Sequence, residues 1–317
     1  KGHTIHKLKV DQQLGNAGLF CAIKDATVEN IVFDESCSFK GGFTGSLTSN
    51  VTEELTLRNV TSRASLYGVT ATGGFVGMLK QANFICLTFL NCVSEVTIDN
   101  NDMNIGGFIG LIQETENSTV TIENCTSNVL VKSQLQFQTN VGGFIGTIHK
   151  VQKVAMMISK SINNGTITCN GSASSGGFIG LIQECTDMNI NVSGSMNKGA
   201  ISVSSSTSNW TNPVSNGGGG FIGLIKNSTK VRVTTCNSTN NGTVSVNNNG
   251  GGFIGSIQEC TGINVNISEG TNNGTLSVSK TINNGTVSYG NGGGGFIGLI
   301  QECTDMDVNA SGYTNNG

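Results

Sequence analysis

A five-residue phrase, Gly-Gly-Phe-Ile-Gly or a close variant, recurs along this chain and limits its fold more than any other feature. Eight copies carry a phenylalanine in third place, and a degenerate copy at residues 17–20 precedes them. Neighbouring copies are 23 to 43 residues apart, a period that predicts a solenoid, propeller or other array of one repeated unit. The phenylalanines are Phe43, Phe75, Phe108, Phe144, Phe178, Phe221, Phe253 and Phe296.

The segments between these phrases have the pattern of β-strands. Apolar and polar residues alternate with period two, as at Met188, Ile190 and Val192, which indicates strands with one buried face. Val, Ile and Thr dominate the strands, and clusters of Gly and Asn separate them. Because the chain has 45 Gly and one Pro, we expect its turns to use Gly and Asn with positive φ.

Five Asn-Asn-Gly tripeptides leave two all-β architectures open. Asn-Gly favours tight type I′ hairpins, so a stack of antiparallel hairpin repeats is one alternative. The other, which we favour, is a right-handed parallel β-helix of about nine rungs, because the second Asn follows the phenylalanine by 20 residues in four repeats. On this interpretation residues 1–16 are a lead-in and residues 17–317 form one continuous β-solenoid with the phenylalanines stacked inside it.

The Gly-Gly-Phe-Ile-Gly phrase, the alternating stretch after it and an Asn-x-Gly-x-Ile/Val tail resemble the GLUG-motif repeats of surface and secreted proteins. Residues 17–32 resemble the first rung of such an array, and the resemblance extends over about residues 15–317. It implies a right-handed parallel β-helix that acts as a stalk or an adhesive surface, with no chemistry in the repeat itself. This chain differs from the usual pattern by its Phe where Leu is common and by its many Asn-x-Ser/Thr sequons.

Composition argues against several classes of partner. Charged residues make up 12% of the chain and the net charge is −3, so we expect neither nucleic acid nor an anionic membrane surface to bind. No apolar run approaches the roughly 20 residues that span a bilayer, so we expect no membrane span. The chain starts at Lys1 without a signal peptide, which we interpret as removal of a signal or as a segment of a longer protein.

Fifteen Asn-x-Ser/Thr sequons predict an N-glycosylated protein that is extracellular or at the cell surface. Several follow the phenylalanine by 13, 16 or 20 residues, which would set glycans at repeated surface positions. The alternative is chance, because the chain is rich in Asn, Ser and Thr. The sequon asparagines are Asn50, Asn59, Asn117, Asn124, Asn164, Asn170, Asn191, Asn209, Asn227, Asn237, Asn241, Asn266, Asn273, Asn284 and Asn309.

Four of the ten cysteines fall in register in consecutive repeats. Cys92 and Cys125 follow their phenylalanines by 17 residues, and Cys260 and Cys303 follow theirs by seven. Stacked rungs place equivalent Cα atoms about 4.8 Å apart, which is inside the range for a disulfide. Two disulfides or a ladder of buried thiols are therefore open alternatives.

The sequence offers no catalytic constellation, so we expect no enzyme and no cofactor beyond N-linked glycans. His3 and His6 have a loose metal-ligand spacing but lie near the terminus, where histidines are usually solvated. Gln-Glu pairs such as Gln183-Glu184 recur at one place in the repeat, which is typical of a structural ladder rather than of one active site. Calcium is an alternative, although the nonapeptide calcium-repeat pattern is absent.

Together these patterns predict an extracellular structural glycoprotein, either a fibre subunit or a cell-surface stalk. An adhesin that binds carbohydrate or host surfaces is the alternative, and a polysaccharide-degrading β-helix enzyme is the third hypothesis. The array ends at Gly317, where earlier Asn-Asn-Gly tripeptides continue into a strand. We therefore expect end-to-end self-assembly into a filament, or further repeats in a long monomeric stalk.

Overall fold

The protein is a parallel β-solenoid. The computed structural model describes residues 2–10, 25–40, 42, 44–47, 53–67, 70–99, 103–133, 139–170, 173–204, 217–247, 249–278 and 293–317. In these ranges all helical or extended structure is β-strand, and every paired strand runs parallel to its neighbour, which excludes the hairpin alternative. The predicted parallel β-helix of about nine rungs is confirmed, and its right-handed sense, the rule for parallel crossovers, stays a prediction. Four predicted site residues lie outside the described residues, namely Phe43, Asn50, Asn209 and Asn284, and so does the degenerate copy of the phrase at residues 17–20.

One coil, which we count from one repeat phenylalanine to the next, shows how the repeat folds. After Phe178 the chain forms five strands, Ile179–Gln183, Thr186–Ser193, Met196–Asn197, Ile201–Ser204 and Gly217–Gly219. Each strand pairs with the same segment of the neighbouring coils, so parallel sheets run along the molecule. In the order of these five strands we name them the Ile-Gly, long-strand, short-strand, closing and Gly sheets.

The strands of each sheet recur once per coil. The Ile-Gly sheet contains Thr44–Leu47, Val76–Lys80, Ile109–Gln113, Ile145–His149, Ile179–Gln183, Ile222–Lys226, Ile254–Gln258 and Ile297–Gln301. The long-strand sheet contains Ala26–Glu29, Glu53–Arg58, Ile85–Leu90, Thr119–Glu123, Ala155–Ser159, Thr186–Ser193, Thr229–Cys236, Asn264–Ser268 and Asp307–Ser311.

The other sheets close the coil. The short-strand sheet contains His3–Ile5, Ile31–Phe33, Thr61–Ser62, Val93–Ser94, Thr126–Ser127, Ile162–Asn163, Met196–Asn197, Thr239–Asn240, Thr271–Asn272 and Thr314–Asn315. The closing sheet contains Thr97–Asp99, Leu130–Ser133, Thr166–Asn170, Ile201–Ser204, Val244–Val246 and Leu276–Val278. The Gly sheet contains Ala71–Gly73, Asn104–Gly106, Thr139–Gly142, Ala173–Gly176, Gly217–Gly219, Asn249–Gly251 and Gly293–Gly294. A further sheet contains Lys9–Val10, Ser38–Lys40 and Ser65–Tyr67.

The repeat phenylalanines form one column inside the solenoid. From Phe108 to Phe296, consecutive ring centroids lie 4.7 to 5.0 Å apart. This is the spacing of hydrogen-bonded strands, so each ring packs on the ring of the next coil. Phe296 is partly buried, and the fully buried members are Phe75, Phe108, Phe144, Phe178, Phe221 and Phe253.

Three corners of a coil use left-handed backbone, and glycine is seldom the residue there. After Phe178 these corners are Glu184, Asp187 and Gly194, with φ of 55°, 53° and 54°. Among the described residues, 22 non-glycine residues but only four glycines have positive φ. The expectation that Gly and Asn form the turns is thus wrong for many corners, where exposed Glu, Lys and Asp take the same conformation at a cost of about 1–2 kcal/mol each.

The glycines of the repeated phrase allow close packing of backbone instead. A Cβ on Gly219 would lie 1.9 Å from the carbonyl oxygen of Ile222, and one on Gly220 would lie 2.1 Å from that of Gly252 in the next coil. No side chain fits at either position. The phrase therefore marks the sharp turn from the Gly sheet into the Ile-Gly sheet, where successive coils touch.

A second internal column consists of asparagine. Asn163, Asn197, Asn240 and Asn272 are buried, and each donates from Nδ2 to Oδ1 of the next, at 2.8 Å in three cases and at 2.7 Å from Asn272 to Asn315. In three coils Oδ1 also accepts the N–H of the glycine two residues ahead, at 3.1 to 3.2 Å. The buried amides are satisfied by one another, so this ladder joins five successive coils.

Candidate functional site

A cleft of about 220 Å³ lies between the outer faces of the Gly sheet and the Ile-Gly sheet. The sharp turn at Gly-Gly-Phe brings these two sheets together. On the Gly-sheet side the cleft is lined by Thr70, Met103, Asn104 and Asn140. On the Ile-Gly side it is lined by Leu111, Gln113, Thr147, His149, Leu181 and Gln183.

Asn104 is the centre of a hydrogen-bond network in the wall of the cleft. Its Oδ1 accepts from Thr147 Oγ1 at 2.5 Å and from Asn140 Nδ2 at 3.4 Å. Its own Nδ2 donates to the carbonyl oxygen of Thr70 at 3.0 Å. These bonds join four successive coils and fix the orientation of both asparagine side chains.

Asn140 has an unused acceptor in the cleft. Its side chain is 6% exposed, and Oδ1 has no hydrogen-bond partner. A buried polar atom without a partner costs about 1–3 kcal/mol, and such atoms are rare in native proteins unless water or a ligand fills the site. The wall of the cleft therefore contains a buried acceptor without a partner.

The rim of the cleft is formed by the predicted Gln-Glu pairs. Gln183 Nε2 donates to Glu184 Oε1 at 3.1 Å, and His149 Nε2 and Lys150 Nζ each lie 3.6 Å from a Glu184 carboxylate oxygen. Gln113 likewise donates to the neighbouring Glu, at 3.0 Å. Glutamate takes the left-handed corner after four of the Ile-Gly strands, at Glu114, Glu184, Glu259 and Glu302, so these side chains are spread along the axis and do not converge on one point.

The terminal histidines do not form a metal site with other side chains. His6 Nδ1 pairs with Asp34, and His3 begins the first strand. Hydrogen bonds from Ser36, and then from His6, lower the pKa of Asp34 to about 2. In the part of the chain that the structure describes, no three His, Cys, Asp or Glu side chains lie close enough together to hold a metal ion.

All sequon asparagines whose side chains are described are exposed. Asn59, Asn124 and Asn237, which follow their phenylalanines by 16 residues, have φ of 52°, 51° and 48°. Asn adopts left-handed backbone more readily than most residues, so this register has a backbone reason independent of glycans. Asn170 ends a strand of the closing sheet. The exposed asparagines are Asn59, Asn117, Asn124, Asn164, Asn191, Asn227, Asn237, Asn241, Asn266, Asn273 and Asn309.

The cysteines hold corners of the coil by hydrogen bonds. The N–H of Cys92 donates to Cys125 Sγ at 3.3 Å, and that thiol donates to the carbonyl oxygen of Glu123 at 3.2 Å. In the next coil Ser161 takes the same place, accepting the N–H of Cys125 at 3.2 Å and donating to Ser159 at 2.8 Å. Thiol and hydroxyl therefore serve the same purpose, which is to replace the strand bonds that the left-handed corner interrupts.

The nine described cysteines are unpaired thiols, including both pairs for which disulfides are an alternative. Cys260 and Cys303 donate to carbonyl oxygens of Gln258 and Gln301 at 3.0 and 3.2 Å. Burial raises the pKa of Cys185 and Cys260 to about 11 and also raises that of Cys125. Since the thiolate is the reactive form, we expect these thiols to react slowly with oxidants while the protein is folded, and disulfide formation stays a prediction.

Sequence reasoning missed the cleft and the buried asparagine ladder. Asn104 and Asn140 each precede the repeat phenylalanine by four residues, a register that the Gly-Gly-Phe alignment contains. No family model, curated protein or solved structure matches this chain. No helix in the described residues is long and apolar enough to cross a membrane.

Proposed function

We propose that the protein is an extracellular structural glycoprotein that serves as a stalk or a fibre subunit. The observation that carries this proposal is the continuity of the two internal columns. The phenylalanine column runs without interruption from Phe75 to Phe296, and the asparagine ladder runs from Asn163 to Asn315. Each coil is held by its two neighbours, so length can grow without a larger core.

Rigidity supports a role as a spacer. From the coil that begins at Phe75 to the coil that begins at Phe253, parallel strands join each coil to the next on five sides, and the stacked rings oppose sliding of one coil over another. Nine coils at about 4.8 Å each give a rod of about 43 Å. A rod of this kind sets a fixed distance between whatever is attached to its two ends.

N-linked glycans would coat this rod. Eleven sequon asparagines point to solvent, and Asn273 Nδ2 donates to Asn241 Oδ1 at 3.0 Å. Glycosylation leaves one N–H on the amide, so the modified side chain keeps a hydrogen-bond donor. We expect mass spectrometry of the native protein to find glycans on several of the exposed asparagines in register, and finding all of them bare would contradict the extracellular assignment. These asparagines are Asn164, Asn191, Asn241, Asn266, Asn273 and Asn309.

Small-angle scattering of the full chain tests the structural proposal. We expect the pair-distance distribution of a rod, with a cross-section set by one coil and a longest dimension that exceeds it. A nearly spherical particle would contradict the proposal. Electron microscopy of the native material then distinguishes a single rod from a head-to-tail filament, because only the filament has variable length.

A further inference from the structure

We propose that Asn164 and Asn241 are dormant deamidation sites, and that the buried asparagine ladder protects them by holding the backbone N–H of the glycine that follows each one. Both asparagines are exposed, and each stands between a buried ladder asparagine and a buried glycine, in the order Asn-Asn-Gly. The stalk function requires nothing of this chemistry, so the two proposals stand independently.

Deamidation at an Asn-Gly bond needs only base and water. The glycine nitrogen loses its proton to base and bonds to Cγ of the preceding asparagine, and Nδ2 leaves as ammonia with a proton from water. Water then opens the cyclic imide at either carbonyl carbon, which gives aspartate or isoaspartate. Glycine favours the ring closure because it has no side chain to hinder it. The glycine N–H is therefore the group that must be held if the asparagine is to survive.

The packing of the coils requires glycine at both positions. A Cβ on Gly165 would lie 2.5 Å from the carbonyl oxygen of Val129, and one on Gly242 would lie 2.1 Å from that of Gly199 in the preceding coil. No side chain fits at either distance, so another residue cannot replace the glycine. The reactive dipeptide is thus a consequence of the fold wherever asparagine precedes this glycine.

The ladder holds the nucleophile at both sites. The N–H of Gly165 donates to Asn163 Oδ1 at 3.1 Å, and the N–H of Gly242 donates to Asn240 Oδ1 at 3.2 Å. Both acceptors are buried, and so are both glycines. Removal of the proton would leave a nitrogen anion facing an oxygen lone pair in a medium of low dielectric constant, so these bonds oppose the first step of the reaction.

The asparagines that would be attacked are restrained as well. The backbone N–H of Asn164 donates to the carbonyl oxygen of Ser127 at 2.8 Å, and its Nδ2 donates to Asn128 Oδ1 at 2.9 Å. The backbone N–H of Asn241 donates to the carbonyl oxygen of Asn197 at 2.7 Å. Ring closure must rotate the asparagine towards the glycine nitrogen and strain these bonds to the preceding coil, so it requires a local opening of the stack.

Two reciprocal variants of the full chain, produced in a host that does not glycosylate asparagine, test the proposal. Asn240→Leu removes the acceptor of the Gly242 N–H, and Asn163→Leu removes that of Gly165. Isoaspartate at each site is measured by peptide mapping and mass spectrometry during incubation at mildly alkaline pH. We expect Asn240→Leu to speed deamidation of Asn241 about tenfold and to leave Asn164 at the parent rate, and Asn163→Leu to do the reverse. Equal rates at the two asparagines in both variants would overturn the proposal.

Asn197→Leu is the matched control, because it interrupts the ladder by the same change between the two sites. The glycine whose N–H it releases is Gly199, which follows Lys198 and not asparagine. Both reactive asparagines should therefore keep the parent rate. Faster deamidation of Asn164 or Asn241 in this variant would show that stability of the stack, and not the held N–H, sets the rate, and would overturn the proposal.

A surface substitution keeps the test decisive if the ladder variants fail to fold. Lys198→Asn adds an Asn-Gly bond at the equivalent corner without changing the core, because Lys198 is exposed and the N–H of Gly199 donates to Asn197 Oδ1 at 3.2 Å. We expect deamidation at position 198 to be at least about tenfold slower in the folded chain than in the same chain unfolded in urea. Equal rates in the folded and unfolded chains would overturn the proposal, since the same held N–H would then give no protection.

Discussion

Residues 53–133 and residues 139–278 consist of coils with the same strand order, but they differ in the residue that is buried at the end of the short strand. In the first stretch the last residue of each short strand is Ser62, Ser94 or Ser127, whereas in the second it is an asparagine of the buried ladder. Ser62 and Ser94 have hydroxyls without a partner, while every asparagine amide bonds to the next. The second stretch has a polar column that satisfies itself, and the first does not.

The aromatic columns of the two stretches differ in the same sense. From Phe144 to Phe253 adjacent rings are within 12° of parallel, but Phe75 and Phe108 are inclined by 56°. Phe89 lies beside both tilted rings, at centroid distances of 5.7 and 5.4 Å. The rings of the column are thus inclined where a second ring lies in the same layer and nearly parallel in the stretch from Phe144 to Phe253.

Among the changes that test this comparison, truncation of one ring of the phenylalanine column should lower the free energy of unfolding most. In Phe221→Ala the column loses a ring that stacks at 4.8 and 4.7 Å on its two neighbours, and we expect a loss of about 3–5 kcal/mol in the free energy of unfolding. Phe89→Ile should cost at most about 2 kcal/mol, because the register partners Leu57 and Ile122 are aliphatic. Urea denaturation followed by circular dichroism measures both.

The outcome for Phe89→Ile also tests the cause of the tilt. If the second ring displaces the column, Phe75 and Phe108 should become nearly parallel in the crystal structure of the variant. Rings that stay inclined would show that the tilt has another origin. Equal destabilisation by both variants would contradict the distinction between the two stretches.

Interrupting the asparagine ladder should have the next largest effect. Asn240→Ser leaves Nδ2 of Asn197 and Oδ1 of Asn272 without their ladder partners, so we expect a loss of about 2–4 kcal/mol. Ser127→Asn is the reciprocal change, because Ser127 is the register partner of Asn163 and an amide there would extend the ladder by one coil. We expect it to stabilise the protein by up to about 1 kcal/mol in the same urea assay. Destabilisation by both changes would mean that the first stretch cannot accommodate an asparagine at the place of its serine.

Substitution of a corner thiol should change stability according to whether the new side chain accepts a hydrogen bond, and less according to its size. Cys125→Ser keeps an acceptor for the N–H of Cys92 and copies Ser161, so we expect a change below about 1 kcal/mol. Cys125→Val removes that acceptor and should cost about 1–3 kcal/mol. Thermal unfolding under reducing conditions compares the two, and equal losses would contradict the bonding function assigned to the thiol.

The aromatic column could be predicted because a repeated residue at a constant position in a parallel stack must contact its own copies. The long strands could be predicted because apolar and polar residues alternate along them, as at Met188 and Ile190. The short strand could not be predicted, because its polar residues are buried and its apolar residue is not. Asn163 and Ser161 point inward, and Ile162 between them is half-exposed, which is opposite to the usual burial pattern.

The candidate site was beyond sequence reasoning for a different reason. Asn104, Asn140 and Thr147 are separated by up to 43 residues and meet only because coils of unequal length stack in register. An alignment on the phenylalanines identifies that Asn104 and Asn140 are equivalent, but not which of their atoms bond. The unpaired Oδ1 of Asn140 follows from the orientation of three side chains, which no periodicity encodes.

The smallest expected effect concerns a single hydroxyl in the second stretch. Thr235 is 2% exposed, its Oγ1 has no partner, and its register partners Val192 and Ile267 are apolar. Thr235→Val keeps the β-branched shape and removes the unsatisfied group, so we expect stabilisation of about 1 kcal/mol in urea denaturation. Val192→Thr is the matched control, which should destabilise by a similar amount if its new hydroxyl also lacks a partner. A loss of stability in Thr235→Val would show that this hydroxyl is bonded in solution.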